Sequence, residues 1–121
     1  QGPWFKVRIQ DLANPALPPE QLAARVEFFA DIPATGGSVM DAQGNLYFSD
    51  LAHDAMRVRR PDGQIETLIV DKRLHWVDAP FLDKDGTLWL PTPQMDRVAL
   101  FNKGKSLVQR PVGVYRLPIQ R

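Results

Sequence analysis

Cysteine is absent from the 121-residue chain. Disulfides, thiolate metal sites and a cysteine nucleophile are therefore excluded. A charge excess of either sign is also missing. Fifteen Lys and Arg face fourteen Asp and Glu, for a formal net charge of +1. That balance argues against a dedicated nucleic-acid binder and against a polybasic membrane-surface module. No apolar run approaches the roughly 20 residues of a membrane-spanning helix. The chain opens on Gln1 and not Met, so the native start is expected to lie upstream. What is present is ordinary globular composition, with 44% hydrophobic and 24% charged residues, enough to build a core.

Pro3 to Ile9 reads as a strand, because Phe5, Val7 and Ile9 alternate with Lys6 and Arg8. Asn14-Pro15 and Pro18-Pro19 mark a connection. Glu20 to Phe28 is the helix candidate, opened by Pro19 and carrying Leu22, Val26 and Phe29 at helical spacing. From Gly36 on, short apolar runs are broken by Gly-containing turns. Ser38–Met40 with Leu46–Phe48, and Ala55–Arg59 with Ile65–Val70, read as antiparallel hairpins. Phe81-Leu82 and Leu88–Leu90 flank a third turn at Asp85-Gly86. Val98–Phe101 and Val112–Leu117 are the last strand candidates.

The hairpins repeat. Val39 to Phe48 aligns without gaps on Phe81 to Leu90 at an offset of 42 residues, with Asp, Gly and Leu coinciding. Two four-stranded antiparallel units at this period are the signature of β-propeller blades. The expected fold is thus all-β: about two blades of a six-bladed propeller, with one short helix near the N-terminus. Residues 1–35 would hold the end of a preceding blade and a connecting segment, 36–72 one blade, and 73–121 the final blade. Two blades alone leave apolar flanks and strand edges in water. The chain is therefore expected to be a fragment of a larger propeller or one subunit of an assembly. Three copies would close a six-bladed ring as a homo-trimer.

The stretch Gly37-Ser38-Val39-Met40-Asp41 through Gly44-Asn45-Leu46-Tyr47-Phe48-Ser49-Asp50-Leu51-Ala52-His53 resembles the major royal jelly/yellow protein family, nearest in style to its bacterial members. Pro19 to Glu27, Leu74-His75-Trp76-Val77-Asp78 and Val114-Tyr115-Arg116-Leu117 fit the same pattern in order. The resemblance implies a six-bladed propeller related in architecture to gluconolactonase/regucalcin-like calcium-dependent lactonases. It further implies that this is the C-terminal third of a longer protein, secreted or periplasmic.

Propeller geometry gathers the loops that lead into the first strand of each blade, and the loops after each second strand, on one face around a central channel. The candidate ligand-binding residues there are Ser38, Asp50, His53 and Trp76. Asp78 is the candidate metal residue, through the Ca²⁺ sites of the lactonase relatives; alternatively it closes the turn before Pro80. His53 suits proton transfer or hydrogen bonding, or is a solvated loop residue. His53 stands about where insect members that bind small amines carry Asn, so that specificity does not carry over. His75 is expected to be structural or exposed, and Arg57 and Arg59 solvated. The turn residues Asp41–Asn45, Asp62-Gly63 and Asp83–Thr87 lie on the opposite face. Three functions follow: a small-ligand-binding propeller, a Ca²⁺-dependent lactone hydrolase, or a structural and interaction propeller.

Overall fold

The aspartates that open the two repeated turns do the same work in each copy. In the computed structural model, which describes Gly2 to Ile119, Asp41 Oδ1 accepts from the backbone N–H groups of Gln43 and Asn45, both at 2.9 Å. Asp83 Oδ1 accepts from Asp85 and Thr87, also at 2.9 Å. The second carboxylate oxygen accepts a hydrogen bond from the aromatic residue six positions on. Tyr47 Oη donates to Asp41 Oδ2 at 3.1 Å and Trp89 Nε1 to Asp83 Oδ2 at 2.8 Å. Gly44 and Gly86 close the turns at φ of 85° and 82°, a region glycine enters without a Cβ penalty. The sequence repeat is therefore a repeat of hydrogen bonds.

These turns sit in an all-β chain. Its strands are β1 (Gly2–Lys6), β2 (Glu27–Ile32), β3 (Ser38–Met40), β4 (Leu46–Asp50), β5 (Ala55–Arg59), β6 (Ile65–Val70), β7 (Phe81–Leu82), β8 (Thr87–Thr92) and β9 (Gly113–Pro118). The helices α1 (Ile9–Leu12) and α2 (Pro19–Ala23) are each little more than a turn. Among the described residues no helix is long and apolar enough to cross a membrane.

The chain divides into two compact units, Gln1–Pro33 and Ala34–Arg121. In the first, β1 and β2 pair antiparallel, with a register shift at Trp4/Phe5. Phe5 and Phe28 meet edge to face at 6.3 Å. The expected helix over Glu20–Phe28 is shorter: α2 ends at Ala23 and the chain from Glu27 is strand. Pairing with β1 satisfies that backbone, overriding a helical spacing that Leu22, Val26 and Phe29 do carry. The expected strand over Pro3–Ile9 likewise stops at Lys6, and Ile9 begins α1.

In the second unit, β3-β4-β5-β6 form a four-stranded antiparallel meander, the strand order of a propeller blade. The following sheet, β7-β8-β9, has three strands among the described residues and not four. The segment expected as its third strand, Val98–Phe101, coils instead into a 3₁₀ turn over Ala99–Phe101. The Asn102 amide closes that turn, donating to the carbonyls of Asp96 (2.7 Å) and Val98 (2.9 Å). The third strand is β9, antiparallel to β8 from Thr87↔Pro118 to Thr92↔Gly113.

The two sheets share a core. Tyr47, Met56 and Val58 from the first meander pack with Leu74, Val77, Leu88 and Leu90, and Tyr115 and Leu117 of β9 close over them. At one end the sheets meet backbone to backbone. A Cβ on Gly36 would lie 2.3 Å from the Val77 carbonyl oxygen, and one on Gly37 would lie 2.5 Å from the Ala79 nitrogen. The opposite flank of the second sheet is bare. Phe81, Trp89 and Val114 are 61%, 39% and 64% exposed.

Gly37→Ala should cost about 2 kcal/mol or more, because the obstructing atoms are the Ala79 backbone and the Pro80 ring, which cannot turn aside. Gly2→Ala, with nothing within 4 Å, should be near neutral; chemical denaturation of both variants checks this. The turn carboxylates add a pH dependence. Burial pushes Asp41 up, but hydrogen bonds from Asn45, Tyr47 and Gln43 leave it below the usual carboxylate range. Asp83 is held low by the N–H of Thr87 and by Trp89. A depressed folded value gives stability that is complete above the unfolded value and drains as pH falls through the folded one. Melting temperatures should therefore fall on acidification below about pH 4, and less steeply when both Asp41→Asn and Asp83→Asn are present.

Candidate functional site

The structure brings together the four loops expected on one face. The leading loop of the first meander (34–37) and that of the second sheet (75–80) touch through the glycine pair, and Gly36 also abuts Leu51 in the loop after β4. Ser49 locks the contact. Its Oγ, on a residue only 1% exposed, accepts from Gly36 N–H (2.9 Å) and Gly37 N–H (3.3 Å) and lies 3.1 Å from Thr35 Oγ1. It donates to the Val77 carbonyl at 2.9 Å. The fourth loop, after β8, joins through His75. Its Nδ1 lies 2.9 Å from Asp54 and its Nε2 3.0 Å from Asp96, so one imidazole spans carboxylates of both loops that follow a second strand. His75 is thus structural, as a bridge.

Asp50 is buried and already engaged. Its carboxylate takes the Arg57 guanidinium at 2.7 Å, the Ala52 N–H at 3.2 Å and His53 Nδ1 at 2.9 Å. An ionised carboxylate can only accept, so Nδ1 of His53 is the donor in this contact. The His53 side chain is 63% exposed. Arg57 is not the solvated residue the sequence suggests; it is the counter-charge of a buried carboxylate. Its Nε is shielded from solvent and has no hydrogen-bond partner among the described residues.

Ser38 opens β3, half-buried, opposite Phe48. Trp76 is half-buried in the leading loop at φ 56°. Asp78 follows it; its N–H is held by the Pro91 carbonyl at 3.0 Å and its Oδ1 accepts from Ala79 N–H at 2.8 Å. Asp78 therefore does the turn-closing work. Of five non-glycine residues with positive φ among those described, four lie on these loops: Asp54, Trp76, Ala79 and Gln94. Each such position costs about 1 kcal/mol or more and persists only where its surroundings impose it.

A calcium ion needs six to eight oxygens converging on one point. Here Asp50 is spent on Arg57 and His53, one Asp78 oxygen is spent on its own turn, and Asp54 and Asp96 are spent on His75. Among the described residues no group of three or more His, Asp or Glu is arranged to hold a metal ion. The described residues of this chain alone do not complete such a shell. A scan against family models finds none that matches this chain, and a comparison with curated proteins finds no match.

Sequence reasoning puts Asp54 and Asp96 on the loops of the channel face but singles out neither them nor Ser49 as a site residue. Ser49-Asp50 does carry a signal, two polar residues closing an otherwise apolar strand. Asp54 and Asp96 each lie 21 residues from His75 and share no local pattern with it. Asp50→Asn should destabilise the chain by about 3 kcal/mol, since it strands the Arg57 charge. His53→Gln, at an exposed side chain, should cost under about 0.5 kcal/mol. Urea denaturation of the two variants distinguishes a buried anchor from an exposed reporter; equal costs would contradict this arrangement.

Proposed function

We propose that the chain belongs to a small-ligand-binding six-bladed β-propeller of the royal jelly/yellow type, exported from the cytoplasm. Its ligand is held at the channel face by Ser38, His53 and Trp76. Asp50 and Arg57 act beneath His53 as its support. The observation that carries this reading is the clustering of left-handed residues on the loops of one end. Structure that costs stability there and almost nowhere else is what a site shaped for a ligand requires. His53 adds an outward imidazole on a buried carboxylate.

The bare flank at Phe81, Trp89 and Val114 supports the rest of the ring. A neighbouring blade would cover it, supplied by the remainder of a longer chain or by further copies as in a homo-trimer. Lactone hydrolysis would need carboxylates free to hold a cation and activate water. The engagements of Asp50 and Asp78 favour binding over that chemistry.

Thermal-shift screening of the protein against tryptamine-like aromatic amines, sugar lactones and calcium tests this. An organic ligand should raise the melting temperature, and His53→Ala with Trp76→Ala should abolish the rise while calcium has no effect. A calcium-dependent rise with lactone turnover would establish the hydrolase instead. A ligand response unchanged in the double variant would place the site elsewhere.

A further inference from the structure

A second cleft, of about 310 Å³, lies among the Lys72–Leu74 turn, the loop after β8 and the chain that leads into β9. None of Ser38, Asp50, His53, Trp76 or Asp78 lines it. Its lining carries Lys72, Arg73, Arg97 and Arg110, with a histidine, two glutamines and a threonine, and no acidic residue. These cations are spread along the sequence and form no basic run, so only the fold assembles them.

Their charges are unequally compensated. Arg73 is clasped by Asp71 through Nε and Nη2, and those bonds hold the Asp71 carboxyl down to about 2. Arg97 is held by an amide and not by a carboxylate: its Nη1 donates to Gln94 Oε1 at 2.8 Å. Lys72 and Arg110 form no ion pair among the described residues. The nearby carboxylates Asp54 and Asp96 are turned onto His75. The first unit provides a contrast. Its hollow of about 530 Å³ is also charged, but there Lys6 pairs with Glu27 and Arg25 with Asp11.

The cleft is also built from below. Gln94 is 6% exposed, and both ends of its amide are hydrogen-bonded. Besides receiving Arg97, Oε1 accepts from Gln109 N–H at 3.0 Å and Nε2 donates to the Gln109 carbonyl at 2.8 Å. One buried side chain therefore fixes Arg97 and the backbone beside Arg110. Tyr115 makes a flat wall. Its ring lies so close to Gly113 that a Cβ there would be 2.7 Å away, and the Arg73 guanidinium stands 5.8 Å from the ring centre.

We propose that this cleft binds a small oxyanionic molecule, one carrying a phosphate or clustered carboxylates, between Arg97, Arg110 and Lys72. Guanidinium forks match both groups in a bidentate manner. The volume is at the lower end of small-molecule sites. A long polyanion would need a basic track across the surface, and the net charge of +1 provides none.

Calorimetric titration of the protein with pyrophosphate and with citrate tests this, and whichever binds identifies the preferred group. Saturable binding should weaken roughly tenfold or more in Arg110→Gln and in Arg97→Gln, as expected for loss of one charge-assisted contact. Arg60→Gln removes the same charge at the opposite turns, where Arg60 pairs with Glu66; it should leave binding unchanged. Arg110 is exposed, so its variant folds even if Arg97→Gln does not. No binding of either anion overturns the proposal. So does equal weakening by Arg60→Gln, or binding only of a sulfated oligosaccharide or oligonucleotide.

Discussion

One hydroxyl and two missing side chains set the arrangement of the second unit. Ser49 Oγ accepts from the N–H groups of Gly36 and Gly37 and donates a hydrogen bond to the Val77 carbonyl. The glycines let the two leading loops approach until no Cβ would fit. Polar groups buried in this way must be paired, because each lost partner costs about 1–3 kcal/mol. The contact is therefore specific in register as well as favourable. An apolar seam between the sheets would tolerate sliding by a residue; this one does not.

Several features follow from that fixed seam. Val77 is buried in the core beside the seam, and Trp76 and Ala79 on either side of it take left-handed conformations. The same seam brings the loop after β4 against the second leading loop, and His75 then spans from Asp54 to Asp96. The core of Tyr47, Met56, Val58, Leu88 and Leu90 supplies most of the stabilisation, at about 1.5–3 kcal/mol for each large apolar side chain fully buried. It does not choose the loop geometry; the polar end does.

Much of the fold could be read from periodicity and turn chemistry. The alignment of Val39–Phe48 on Phe81–Leu90 gave the two hairpins, and the loops it implied for one face do meet. Local pattern failed where a distant partner decides. Leu22, Val26 and Phe29 have helical spacing, yet from Glu27 the chain pairs with β1. Val98–Phe101 reads as a strand, yet the Asn102 side chain coils it. At the site, His53 and Asp50 were visible because both fall in the loop after the second strand, which the propeller reading puts on the channel face. Arg57 was misjudged because its carboxylate sits on the neighbouring strand, and the cleft around Gln94 was invisible because its cations come from three separate segments.

Hydrogen exchange on Ser49→Ala addresses the seam most directly. If the hydroxyl governs the loop geometry, amides at 36–37, 51–54 and 76–79 should lose protection together, while those of the β4–β5 ladder keep theirs. Loss confined to Gly36 and Gly37, with the loops at 51–54 and 76–79 as protected as in the parent protein, would contradict the account.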